Sequence, residues 1–142
     1  MCDDGDQVRV DELLAELCKL DAVKTARQQS GKRAWGWPDL KLVRRTRYGP
    51  HTGGRAWPSD YRMTINVGPG PTEREGLEET VMHELIHCVL PDEEAHGDLF
   101  RFTLRKAARE RWPGIVLPPN EGEVYAMCRA IKSAARELRA TG

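Results

Sequence analysis

The stretch LEETVMHELIHCVL, residues 77–90, decides how the rest of the chain is read. Leu77, Val81, Leu85 and Val89 recur every four residues and form an apolar helical stripe. Pro91 cannot sit in a helix interior, so the helix must end by Leu90. Upstream, Gly68, Pro69, Gly70 and Pro71 break the chain, and Thr72 with Glu75 has the form of a capping box. A helix over about 72–90 follows. His83 and His87 lie four apart on it, one above the other, so both imidazoles can hold one cation. Glu84 projects about 100° round the helix from His83. That places its carboxylate beside a metal-bound water rather than on the metal.

The pattern is specific. Four histidines and thirteen glutamates in 142 residues would produce it by composition alone in about one chain in a hundred. The alternative is a surface helix carrying two solvated histidines. A catalytic zinc needs a third protein ligand and one open position. His96 follows Pro91 and the segment 92–95, which is long enough to turn the chain back, and Gly97 beside it permits tight packing. Glu121 and Glu123 on a later helix compete for the role, and His51 is the remaining histidine.

Working outward, Val10, Leu13, Leu14, Leu17 and Cys18 have helical spacing, which predicts one amphipathic helix over about 8–25. Residues 31–38 break the chain and contain Trp35 and Trp37. Residues 40–47 and 61–67 alternate as strands, the second most clearly through Tyr61, Met63, Ile65 and Val67. They are expected in one small antiparallel sheet within about 40–67, with a short third strand near 55–57. Further helices are expected over about 97–111 and 121–139. The last would bury Val124, Met127, Cys128, Ile131, Ala135 and Leu138. Leu104 and Phe100 join the expected core. The fold class is α+β, a small sheet packed on the metal helix, with residues 1–142 as one domain.

His83-Glu84-Leu85-Ile86-His87 followed by His96-Gly97-Asp98-Leu99-Phe100 resembles the SprT-like (Spartan-type) zinc metallopeptidases. Those have HExxH on one helix and an H-G-x-x-F segment opening the next. Strand 61–67 with Asn66 is similar to the family's strand before the metal helix, and the likeness covers roughly residues 40–111. The resemblance implies a zincin-like fold, Zn2+ held by His83, His87 and His96, Glu84 as catalytic base, and Phe100 packed beneath the site. It also implies a metalloprotease, a hydrolase of peptide bonds with protein or peptide substrates. The zinc ribbon of the better-known members has no counterpart, because Cys2, Cys18, Cys88 and Cys128 form no C-x-x-C pair. A DNA-repair role therefore does not carry over, and a minimal stand-alone peptidase domain is expected. Metzincin spacing is absent as well, since no glycine lies between His87 and His96.

Bulk properties narrow the class further. The formal net charge is zero. No signal peptide opens the chain and no apolar run approaches the ~20 residues of a membrane span, so a cytoplasmic, non-membrane protein with reduced thiols is expected. The neutral total hides a split. Residues 32–62 carry eight basic side chains against Asp39 and Asp60, interleaved with Trp35, Trp37, Tyr48, Trp57 and Tyr61. Nucleic acid could bind such a segment by phosphate neutralisation and base stacking. A charge-protected sheet edge with tryptophans in the core explains it equally simply. Residues 73–94 carry eight acids against Arg74.

For substrate, strand 61–67 as an edge strand beside the metal would let an extended peptide add by backbone hydrogen bonds. Tyr48, Tyr61, Tyr125 or an arginine could stabilise the oxyanion. Two other classes compete with a peptidase. One is a non-catalytic binding module stabilised by its metal. The other is a metal-dependent hydrolase of another kind, such as a three-histidine RNA endonuclease, although that family lacks the glutamate after its first histidine.

Overall fold

A computed structural model describes residues 4–30, 38–43, 54–60, 62–66, 77–91, 97–118 and 124–141. In chain order the elements are α1 (Asp4–Leu17), α2 (Asp21–Gln29), β1 (Asp39–Val43), β2 (Gly54–Trp57), a 3-10 turn (Pro58–Asp60), β3 (Arg62–Asn66), α3 (Leu77–Val89), α4 (Asp98–Arg111) and α5 (Val124–Thr141). The class is α+β, mostly helical with a small sheet. No helix among the described residues is long and apolar enough to cross a membrane.

Helix α3 is the hub. It packs against β2 and β3 on one side and against α1, α2, α4 and α5 on the others. The reason lies in its composition: Leu77, Val81, Met82, Leu85, Ile86, Cys88 and Val89 are all buried, more than one stripe's worth. A helix apolar nearly all round must be covered nearly all round. Phe100 and Leu104 of α4 and Met127 and Ile131 of α5 close over it and are fully buried. The expected core residues Val81, Leu85, Val89, Phe100, Leu104 and Ile131 are all in place. At the C-terminal end of α3, the Ser30 hydroxyl donates to the Val89 carbonyl just before Pro91.

The sheet corrects two expectations. β3 is its central strand, in the order β1-β3-β2. β2 pairs with β3 antiparallel, as expected of the short third strand, with Trp57 opposite Arg62. β1, however, runs parallel to β3, from Asp39 opposite Arg62 to Val43 opposite Asn66. Direction follows from connectivity. Val43 and Gly54 both lie at the Asn66 end of β3, so β1 and β2 must run oppositely and β3 is inserted between them. β3 is therefore not an edge. Among the described residues the edges of the sheet are β1 and β2, and β2 is the one that packs along α3.

The single amino-terminal helix expected over 8–25 is also corrected. The chain forms two helices, broken at residues 18–20. The break is held from far along the chain. Both carboxylate oxygens of Glu110 on α4 accept hydrogen bonds from the first backbone N–H groups of α2, Asp21 and Ala22, each at 2.8 Å. This is a cap supplied in trans by another helix, and it satisfies donors that Leu20 cannot. Arg111 next to it reaches Glu16 of α1 at 2.8 Å and the buried Glu78 of α3 at 2.6 Å, tying three helices together.

The remaining boundaries agree closely. α4 begins at Asp98 and ends at Arg111 before Trp112 and Pro113. α5 runs on to Thr141, two residues past the expected end. The capping box at 72–75 and residues 44–47 lie outside the described residues. Glu110→Ala is expected to lower unfolding free energy by about 1–2 kcal/mol, the range for losing a helix cap. Urea denaturation of wild type and variant measures this, with the midpoint shifting and the slope unchanged.

Candidate metal centre

The site is built on the middle of α3. His83 and His87 are half-buried, and Glu84 between them is buried. The two rings have centroids 5.0 Å apart and stand at 66° to one another. Ligand atoms of His83, Glu84 and His87 all lie within 4.8 Å of each other, as the one-turn spacing requires. Phe100, from the first turn of α4, supports both rings. It stacks on His87 with centroids 4.3 Å apart and meets His83 edge-on at 5.0 Å. Aromatic contact of this kind restricts the imidazoles to a narrow range of orientations.

A second group surrounds the same histidine. Glu79 lies one turn before His83, and Cys128 reaches it from α5. Ligand atoms of Glu79, His83 and Cys128 also lie within 4.8 Å of one another. Cys128 Sγ is 3.3 Å from His83 Nδ1. Thr80 Oγ1 donates to Glu79 Oε2 at 3.3 Å.

The electrostatics follow from crowding acids in a dry place. Burial, and then the Glu79 charge, push Glu84 up to about 8. Burial likewise raises Glu79, partly offset by hydrogen bonds from Cys128 and Thr80 and by the Lys132 charge. The Cys128 thiol is pushed well up by burial and by the negative charges of Glu79 and Glu84. Two carboxylates that burial raises, one of them raised further by the other's charge, beside two imidazoles make a site that gains from a cation. The donor set, imidazole nitrogen with carboxylate oxygen and thiol sulfur in reach, is one that zinc and other first-row divalent ions accept.

His83, Glu84 and His87 are thus brought together. His96, His51, Glu121 and Glu123 lie outside the described residues, as do Tyr48 and Tyr61, and the Tyr125 side chain is not described. Of the basic-aromatic segment, Trp57 is half-buried, with the Arg62 guanidinium 4.3 Å from its ring centroid and Arg62 also 3.8 Å from Asp60. Trp35 and Trp37 lie outside the described residues. Sequence reasoning missed Glu79 and Cys128 as part of the site. Glu79 was within reach of it, since Glu79, His83 and His87 share one helical face at four-residue intervals. Cys128 carried no such signal, because its approach depends on how α5 packs on α3. No family model, no curated protein and no solved structure matches the chain.

The Glu84 shift sets a pH dependence for metal-free protein. The folded state holds a proton on Glu84 up to about pH 8, whereas an unfolded chain releases it near the ordinary carboxylate value of 4.5. Between those values the native state binds more protons, so this group's contribution to stability falls as pH rises. Chelator-stripped protein should lose on the order of a few kcal/mol from this group between pH 4.5 and 8. Glu84→Gln should remove that slope, read as the difference between the two proteins' denaturation curves across pH. Added zinc should suppress the slope in wild type.

Proposed function

We propose that the chain is a zinc-dependent metallopeptidase with a zincin-like, SprT-like core, hydrolysing peptide bonds with Glu84 as the base. One observation carries the proposal: two imidazoles and a buried carboxylate converge within 4.8 Å on one turn of the helix around which the other elements pack. His83 and His87 would hold the metal, with His96 as the third ligand implied by the family likeness. Zinc, when bound, supplies a Lewis acid for the scissile carbonyl and a water of lowered pKa.

Each of the chain's own groups then has a task. Glu84 takes a proton from the attacking water and passes it to the leaving amine nitrogen. Its buried setting gives it a proton affinity close to neutral, which suits a group that must both accept and donate. Phe100 fixes the ligand rings. The substrate strand is best placed along β2 rather than strand 61–67. Among the described residues β2 is an edge strand and packs along α3, so an extended peptide added there would run beside the metal helix.

A non-catalytic metal module is the second reading. It is favoured by Glu79 and Cys128, which put two more donors beside His83 and could close the coordination sphere. Activity separates the two. Glu84→Gln should retain its zinc and lose about 10²–10⁴-fold in kcat/KM on casein. Full activity in that variant with metal bound would remove Glu84 as the base, and an inactive, metal-loaded wild type would favour the module. His96→Ala should lower the zinc content of purified protein. Unchanged zinc would move the third ligand elsewhere, to Glu121, Glu123, Glu79 or Cys128.

A further inference from the structure

Helix α4 buries one side and turns another outward. Phe100, Leu104, Ala107 and Ala108 belong to the core. Phe102, Lys106 and Arg109 are exposed and Arg105 is half-buried, and these four recur at the i, i+3, i+4, i+7 spacing of one helical face. Together with Glu110 they line an open hollow of about 280 Å³. Phe102 is 64% exposed. Single apolar side chains are common on surfaces, so its exposure alone decides nothing. The charges around it do. Both carboxylate oxygens of Glu110 accept from the N–H groups of Asp21 and Ala22, so the one acid among these lining residues is directed to the start of α2. Three cations surround the ring.

We propose that this face of α4 docks an acidic segment of a protein partner, one that carries an apolar side chain among its carboxylates. The Phe102 ring and the methylene stems of Arg105, Lys106 and Arg109 receive the apolar side chain. The guanidinium and ammonium groups pair with the flanking carboxylates. Arg105 also donates to the Pro118 carbonyl at 2.9 Å, which holds the segment after α4 against the same helix. That segment carries Val116, 85% exposed, so the neighbouring surface is aliphatic. From 102 to 109 the face spans only about 10 Å. One ring on so short a track, beside an aliphatic surface, suits a polypeptide better than a run of stacked bases. Phe100, which touches the histidines, belongs to the buried side of α4, so binding here is independent of a metal.

Fluorescence anisotropy on the full chain, with a labelled peptide of glutamates and leucines as the probe, tests this. The peptide should bind saturably, and more weakly as salt is raised. Phe102→Ala should weaken binding at least about fivefold, the loss expected of an aromatic anchor. Lys106→Glu combined with Arg109→Glu should abolish it. A peptide with alanine in place of leucine should bind wild type as weakly as the original binds Phe102→Ala. All three positions are exposed, so the variants should keep the wild-type thermal transition.

No saturable binding of the acidic peptide would overturn the proposal, as would equal binding by wild type and the folded charge-reversal variant. A peptide of lysines and leucines that binds as tightly as the acidic one would overturn it too, because apolar adhesion without charge selection would then explain the result. Oligothymidylate that binds more tightly than the peptide, and is lost in the same variants, would assign the face to nucleic acid instead.

Discussion

Everything in this molecule turns on keeping a polar turn inside an apolar helix. Helix α3 buries Leu77, Val81, Leu85 and Val89 together with Met82, Ile86 and Cys88, and so is wrapped by sheet and helices. Set into that wrapping are two half-buried imidazoles and the carboxylate of Glu84. Burying such groups is unfavourable unless they find partners. Glu84 has Glu79 nearby, which makes its anionic form still less favourable. A divalent cation relieves both the desolvation and the repulsion, so metal binding and folding should be coupled.

The supporting structure fits that constraint. Phe100 closes one side of the histidine pair at the start of α4. Cys128 and Glu79 close another on the α5 side. The other end of α4 is tied down by Glu110, which accepts hydrogen bonds from backbone N–H groups at the start of α2, and by the ion pairs of Arg111 with Glu16 and Glu78. These contacts fix α4 against α1, α2 and α3, and hence fix where Phe100 sits. Among the described residues β2 is the sheet edge that packs along α3.

Much of this was legible from local pattern. The apolar stripe of α3, its stop at Pro91, and the one-turn spacing of His83, Glu84 and His87 are all short-range features. Long-range features were not legible. Alternation in residues 40–43 and 62–66 marks strands but carries no direction, so β1 was expected antiparallel and is parallel. The same gap made the expected strand 61–67 an edge, whereas β3, Arg62–Asn66, is central among the described strands. The apolar spacing of α1 continues through Ala22, Val23 and Ala26, and the cap on the start of α2 comes from Glu110, 88–89 residues away. Cys128 looked like one more buried position on α5, since nothing within five residues of it points to His83. Local periodicity thus found the two histidines and the buried glutamate between them, while packing brought Phe100, Glu79 and Cys128 up to them.

Zinc K-edge X-ray absorption on purified protein tests the central claim most directly. An open imidazole site predicts scatterers at about 2.0–2.1 Å with the multiple-scattering pattern of histidine rings and no sulfur shell. A shell at about 2.3 Å would place Cys128 on the metal and make the site closed. Absence of zinc from protein purified and reconstituted without chelator would contradict the account outright.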